Sequence, residues 1–145
     1  MSSIKNFICI SGMSGSGKTT EAIKISEMLG YRLIRPGELA RSEWPNRKWG
    51  TRLAPEVRMR FLIKEAIKKC GEDTIILDGF PRNIGQLRWL HDTFYCKIEF
   101  TDIKTGLFES LKRFLQRRRE NDTIRKFLSD AIRYYSLKFY LWISK

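Results

Sequence analysis

Two hydrophobic rhythms alternate along the chain. Asn6 to Ser11, Tyr31 to Ile34, Thr74 to Asp78 and Cys96 to Phe100 are short apolar runs with the length and side-chain types of buried strands. Between them lie longer segments whose apolar residues recur every three or four positions, the period of an amphipathic helix. Lys18 to Leu29 sets Ala22, Ile25 and Leu29 on one face. Pro55, suited to a first helical position, opens a helix to about Lys69 with Met59, Leu62, Ile63, Ala66 and Ile67 facing inward. Further helices are expected from about Ile84 to Asp92, around Leu107, Leu111 and Phe114, and from Asp122 to about Ile143. The last carries Ile124, Phe127, Leu128, Ala131, Tyr134 and Tyr135 on its face and runs into the terminal FYLWISK. Arg35 to Leu53, with Pro36, Pro45 and Gly50, reads as irregular. Strands alternating with helices predict a parallel, doubly wound α/β sheet.

Composition narrows the class. A chain of 145 residues, 42% apolar and 30% charged, fits one soluble domain with a core of its own, spanning 1–145. Ile4 to Ile10 is interrupted by Lys5 and Asn6, so it does not read as a signal peptide. No run approaches the roughly 18 apolar residues of a membrane span. Cys9, Cys70 and Cys96 form neither a metal-type pair nor an even disulfide framework, and Cys9 and Cys96 fall in strand segments as small core residues. A reducing, cytoplasmic setting and a monomer are expected. The net charge of +12 implies a polyanionic partner, nucleotide phosphates or nucleic acid, unless it is a solvated surface kept for solubility. The excess is concentrated, since five of the eight residues from Lys112 to Arg119 are Lys or Arg.

"GMSGSGKT" (Gly12 to Thr19) satisfies the phosphate-loop pattern G-x-x-x-x-G-K-[ST] in full, between a predicted strand and a predicted helix. Gly12, Gly15 and Gly17, with Ser14 and Ser16 between them, let successive backbone N–H groups turn inward onto phosphate oxygens. The positive end of the following helix, with Thr20 in its first turn, aims at the same place. Lys18 adds a point charge for the β- and γ-phosphates, and the Thr19 hydroxyl is suited to Mg²⁺. Asp78, at the tip of an apolar strand, has two readings. As a turn or N-cap residue it would be unremarkable. Beside a phosphate loop, it lies at the strand edge where a carboxylate holds Mg²⁺ through water.

"DGFPR" (Asp78 to Arg82), taken with this loop, closely resembles the nucleoside monophosphate kinases, above all adenylate kinase, over about residues 4 to 140. The resemblance implies a P-loop three-layer α/β sandwich. Its sheet would be mainly parallel, with four or five strands, and would carry a small acceptor-binding insertion at about 35–69 and a minimal lid at about 117–122. It implies Mg-ATP as donor and a nucleoside monophosphate as acceptor. Gly79 and Arg82 match the turn and the arginine that grip the acceptor α-phosphate, and Gln86 the amide that reads the adenine edge. "RPGELAR" (Arg35 to Arg41) is similar to the acceptor block S-T-G-D-x-L-R. There Gly37 matches, Arg41 is a second phosphate clamp, and Pro36 replaces the threonine. Leu53, in "RLAPE", falls in the base-pocket turn. In "LKRFLQRRREND", Arg113 matches the arginine against the donor base, Arg117 one on the donor phosphates, and Arg119 the lid arginine near the transferred group. Only Arg118 separates Arg117 from Arg119, so little lid remains. Asp130 stands where the family places another arginine, with Arg133 one turn on. The family's last strand and donor-base loop have no counterpart before Lys145, so the donor base would be held mainly by Arg113.

These residue types suit the reaction. Phosphoryl transfer needs charge neutralisation and in-line placement more than a covalent catalyst. Arginine forks match phosphate oxygens. His91, the only histidine, needs no role. Gln86 favours AMP, whereas uridylate-cytidylate kinases share "FPRN" but carry Asn at that position. Two other classes remain open: a nucleotide-dependent nucleic-acid binder, not favoured because no recognition signature is present, and a non-catalytic nucleotide binder, suggested by Asp130.

Overall fold

The computed structural model describes residues 4–13, 15–46, 55–103, 109, 112, 113, 116 and 124–144. Strands β1 (Lys5–Gly12), β2 (Arg32–Ile34), β3 (Thr74–Asp78) and β4 (Cys96–Ile103) form one sheet in the order β2-β3-β1-β4. All three pairings are parallel. The described helices are α1 (Lys18–Leu29), α2 (Pro36–Glu43), α3 (Glu56–Cys70), α4 (Ile84–Thr93) and α5 (Ile124–Ile143).

The two-residue period of the strands sorts side chains into two layers. Phe7 and Cys9 of β1 and Ile75 and Leu77 of β3 point to one face, where they meet Ile63 and Ile67 of α3 and Leu90 of α4. Ile10 and Ile76 point to the other, against Ala22 of α1, with Ile8, Ile25, Leu33 and Ile103 around them. Ile75, Ile76 and Leu77 are completely buried, so the strand read as covered on both faces is covered on both faces. The result is a three-layer α/β sandwich with a four-stranded parallel sheet. Met13 packs with Phe127 and Ala131, which brings α5 over the loop after β1.

Several expectations shift. The segment read as irregular contains α2. Its prolines suggested broken chain, yet Pro36 sits in the first turn, where its missing N–H costs nothing, and Arg35 pairs with Glu38 across that turn at 2.8 Å. Pro55 caps α3 instead of opening it. β4 runs three residues further than its apolar pattern, to Ile103, because β1 continues to pair with it. Leu29 is half exposed rather than inward. On α5 the buried face is Phe127, Ala131 and Leu137, while Leu128 and Tyr135 lie outside with Ile132, Phe139 and Trp142. Apolar residues occupy both sides of that helix, so periodicity alone could not choose the inner one. Glu109, Lys112, Arg113 and Gln116 are helical, as expected, and the rest of that stretch lies outside the described residues.

Candidate active site

The glycine loop, Asp78 and the turn after it hang from the C-terminal edge of the sheet, where parallel strands present their loops together. β1 ends at Gly12, and the chain curls through Gly15 (φ 79°) and Gly17 (φ 88°) into α1. These left-handed conformations favour glycine. Gly12 is needed for space: a Cβ there would stand 2.5 Å from Ser16 Oγ and 3.2 Å from the Ile103 carbonyl. Ser16 is buried under the turn, and Thr20 is in the first turn of α1.

β3 delivers Asp78 beside this loop, in register with Ile10, and Gly79 N–H donates to the Ile10 carbonyl at 2.9 Å. Asp78 is 8% exposed. Thr19 Oγ1 donates to Asp78 Oδ2 at 2.7 Å, so the two residues expected at the metal are in contact. Asp78 Oδ1 is buried and has no hydrogen-bond partner among the described residues. Such an acceptor costs of order 1–3 kcal/mol unless something donates to it or binds it. This pair fits Mg²⁺, a hard cation that takes hydroxyl, carboxylate, phosphate and water oxygens. Among the described residues no three His, Cys, Asp or Glu converge as a metal cage.

Gly79 (φ 69°) makes the next turn. A Cβ on it would lie 3.1 Å from Lys18 Cε and 3.4 Å from Arg82 Nη2, so the two cations flank it closely. Arg82 Nε donates to the Gly79 carbonyl at 2.8 Å, which fixes the guanidinium against the turn. Ser11, Gly12, Lys18, Gly79, Pro81 and Arg82 line one side of an open cleft, and Asp130, Arg133, Tyr134 and Leu137 of α5 line the other. Arg133 pairs with Asp130 at 3.8 Å. The acid at the expected arginine position therefore shares the cleft with an arginine one turn later.

The acceptor-side residues are placed less uniformly. The Arg41 guanidinium lies over Gly37, 3.3 Å from where a Cβ there would stand. Gln86 is already engaged: Oε1 accepts from Arg82 N–H at 2.7 Å and Nε2 reaches Glu56 Oε2 at 3.4 Å. The arrangement follows from Asn83, which caps α4 by accepting from Gln86 N–H at 2.9 Å. On the donor side, Arg113 pairs with Glu109 at 3.2 Å, and its Nη1 comes within 3.8 Å of where a Cβ on Gly17 would stand. Ser14, Leu53, Arg117, Arg119 and the lid at 117–122 lie outside the described residues.

Two features escaped the sequence reading. Arg35 Nε lies 3.7 Å from Asp78 Oδ2. β2 pairs with β3 up to Ile34 and Leu77, so the next residues, Arg35 and Asp78, are neighbours. The register was the missing signal. The second is a cluster that ties α5 to the end of β4: Tyr134 donates to Asp102 Oδ1 at 2.6 Å, and Lys138 lies 3.1 Å from Asp102 Oδ2. Burial first, and then the Asp102 carboxylate, push the Tyr134 hydroxyl up to about 12. Asp102 lies just beyond the expected end of its strand, so no apolar pattern marked it.

A model of the AAA domain family matches residues 11–131. The chain belongs to the AAA domain family. The AAA domain match begins at Ser11, one residue before the glycine loop, and takes in every cleft residue through Asp130; Arg133 and Tyr134 follow directly. Mouse adenylate kinase isoenzyme 5 is 33% identical over 126 residues, covering 78% of this chain and 22% of that protein. An adenylate kinase of Pyrococcus horikoshii is 31% identical over 125 residues, 77% of this chain and 56% of the relative. UMP-CMP kinase 3 of Arabidopsis thaliana is 34% identical over 87 residues, 52% of this chain and 43% of the relative. The resemblance to nucleoside monophosphate kinases, read from three motifs, is thus borne out. The chain spans from about a fifth to rather more than half the length of these relatives. No described helix is long and apolar enough to cross a membrane.

Proposed function

We propose that this protein is a compact nucleoside monophosphate kinase, which transfers the γ-phosphoryl group of ATP to a nucleoside monophosphate with AMP as the favoured acceptor. One observation carries the reading: Lys18 of the glycine loop and Arg82 of the DGFPR turn flank the same glycine. A residue suited to the donor and one suited to the acceptor thus meet at one point, while Thr19 and Asp78 are joined beside them.

On this reading the donor phosphates rest on the backbone N–H groups from Gly12 to Thr19, and Lys18 follows the γ-phosphoryl group as charge develops. Arg82 and Arg41 hold the acceptor phosphate, and the bond from Arg82 to the Gly79 carbonyl gives its fork one orientation. Arg133 supplies positive charge from α5, in the cleft where Asp130 replaces an expected arginine. Arg117 and Arg119 would add charge from the minimal lid, and Arg113 would lie along the donor base. Mg²⁺, when bound by Thr19 and, through water, by Asp78, supplies neutralisation of the β- and γ-phosphate oxygens. Gln86 reads adenine. With Oε1 held by Arg82 N–H and Nε2 reaching Glu56 Oε2, a two-point reading of the base requires giving up both contacts. Leu53 contributes to the base pocket. A single domain working in the cytoplasm is consistent with this role.

The test is a coupled ADP-release assay with AMP, CMP, UMP and GMP on wild type and Lys18→Ala. Lys18→Ala should lose turnover by orders of magnitude and remain folded. Transfer to none of the four by the wild type would refute the proposal. CMP turned over as well as AMP would support the uridylate-cytidylate reading instead.

A further inference from the structure

We infer that Arg35 is a resident counter-cation for Asp78, one that competes with the divalent metal for this carboxylate and balances its charge when the metal is absent; the inference rests on the kinase reading for the metal site. Asp78 and Arg35 sit side by side on neighbouring strand ends, with Nε 3.7 Å from Oδ2 and side chains 23% and 7% exposed for arginine and aspartate respectively. That separation is an ion pair and not a hydrogen bond. Arg35 Nε and Asp78 Oδ1 are both buried, and each has no hydrogen-bond partner among the described residues. A donor and an acceptor are therefore left unused on either side of one carboxylate. That is the arrangement a small polar occupant, such as a hydrated cation's water, would complete.

The rest of Arg35 is tied down. Nη1 pairs with Glu38 at 2.8 Å in the first turn of α2, so the guanidinium bridges the acceptor-side helix and the carboxylate on β3. Two opposing effects follow from Coulomb's law. A fixed positive charge beside Asp78 disfavours a divalent cation there. The same charge cancels a buried anion that would otherwise repel the phosphates of metal-free ATP. Arg35 should therefore weaken metal binding and strengthen metal-free nucleotide binding. Damage to the fold would weaken both.

The experiment compares wild type, Arg35→Met, Arg35→Lys and Asp78→Asn. Mn²⁺ binding is read by electron paramagnetic resonance with a non-hydrolysable ATP analogue present. ATP binding is read by calorimetry in excess EDTA, and melting is followed in EDTA and in Mn²⁺. Partly exposed pairs of this separation support changes of roughly tenfold. Arg35→Met should bind Mn²⁺ about tenfold more tightly and EDTA-ATP about tenfold more weakly. It should melt lower in EDTA, with the loss recovered by Mn²⁺, and Arg35→Lys should fall between. Unchanged or weaker Mn²⁺ binding by Arg35→Met, with Asp78→Asn losing the metal, overturns the role of Arg35 and leaves the metal site standing. Mn²⁺ binding by Asp78→Asn equal to wild type overturns both.

Discussion

Gly79→Ala separates two effects that one glycine combines. Its φ of 69° lies in the left-handed region, where a residue with a Cβ costs roughly 1–2 kcal/mol. Gly71, at the end of α3, has nearly the same φ of 65°, and a Cβ there meets nothing within 4 Å. Gly71→Ala is thus the control for backbone cost alone. At Gly79 the added Cβ would stand 3.1 Å from Lys18 Cε, and ordinary contact begins at 3.4 Å. The lysine must move by a few tenths of an ångström, with Arg82 next to give way. Since about 1 Å of misplacement costs about a hundredfold in rate, a shift of about 0.3 Å should lower kcat/KM about fourfold, or about 0.8 kcal/mol of transition-state stabilisation. Both variants should lose about 1–2 kcal/mol of stability in urea, while only Gly79→Ala should lose activity in the coupled assay. Turnover by Gly79→Ala within twofold of wild type, or an equal loss in Gly71→Ala, would refute the claim that this turn sets the position of Lys18.

Three other outcomes are expected. Gln86→Ala should lower kcat/KM for AMP by about tenfold or more, in line with roughly 1–3 kcal/mol for a base-edge amide. CMP should be affected less, and equal losses would assign Gln86 to holding Arg82 alone. Tyr134 keeps its proton in the folded state up to about 12, against an ordinary 10, so its contribution is complete below pH 10 and is lost as pH rises toward 12. The urea stability gap between wild type and Tyr134→Phe should therefore narrow between pH 8 and pH 11, by of order 1 kcal/mol after allowing for solvent; a constant gap would contradict the Asp102 link. Only Arg118 separates Arg117 from Arg119, so ATP should be hydrolysed without acceptor at a larger fraction of the kinase rate than in long-lidded relatives. Rates no higher than those of Lys18→Ala would show that water is kept out by other means.

What was legible in the chain was whatever local chemistry marks strongly. The glycine loop, the boundaries of α1 and β3 and the place of Asp78 could be read because glycine, a uniform apolar run and a charge that ends it each have one economical explanation. α2 was hidden by Pro36, since the same residue breaks a helix inside and starts one at its edge. The inner face of α5 was ambiguous because the exposed Leu128, Ile132 and Phe139 are as apolar as the buried Phe127 and Leu137. Asp102 with Tyr134, and Arg35 with Asp78, are pairs made by strand register and helix docking. No spacing along the sequence encodes them, and they appear only once the sheet order is known.

That order, β2-β3-β1-β4, has an evolutionary consequence. On the kinase reading, β1 with α1 carries the equipment for the donor, while the ends of β2 and β3, with α2 and α4, carry that for the acceptor. The two inventories sit on separate strands, so lineages can exchange one nucleobase preference for another by drift in α2 and α4 without retooling the glycine loop. Such independence ends at the β3 tip. If Arg35 balances Asp78 as inferred above, a lineage that alters residue 35 changes an acceptor-side position and the metal chemistry of the donor in a single step, so on the kinase reading this position should vary together with ionic requirements rather than with the choice of base.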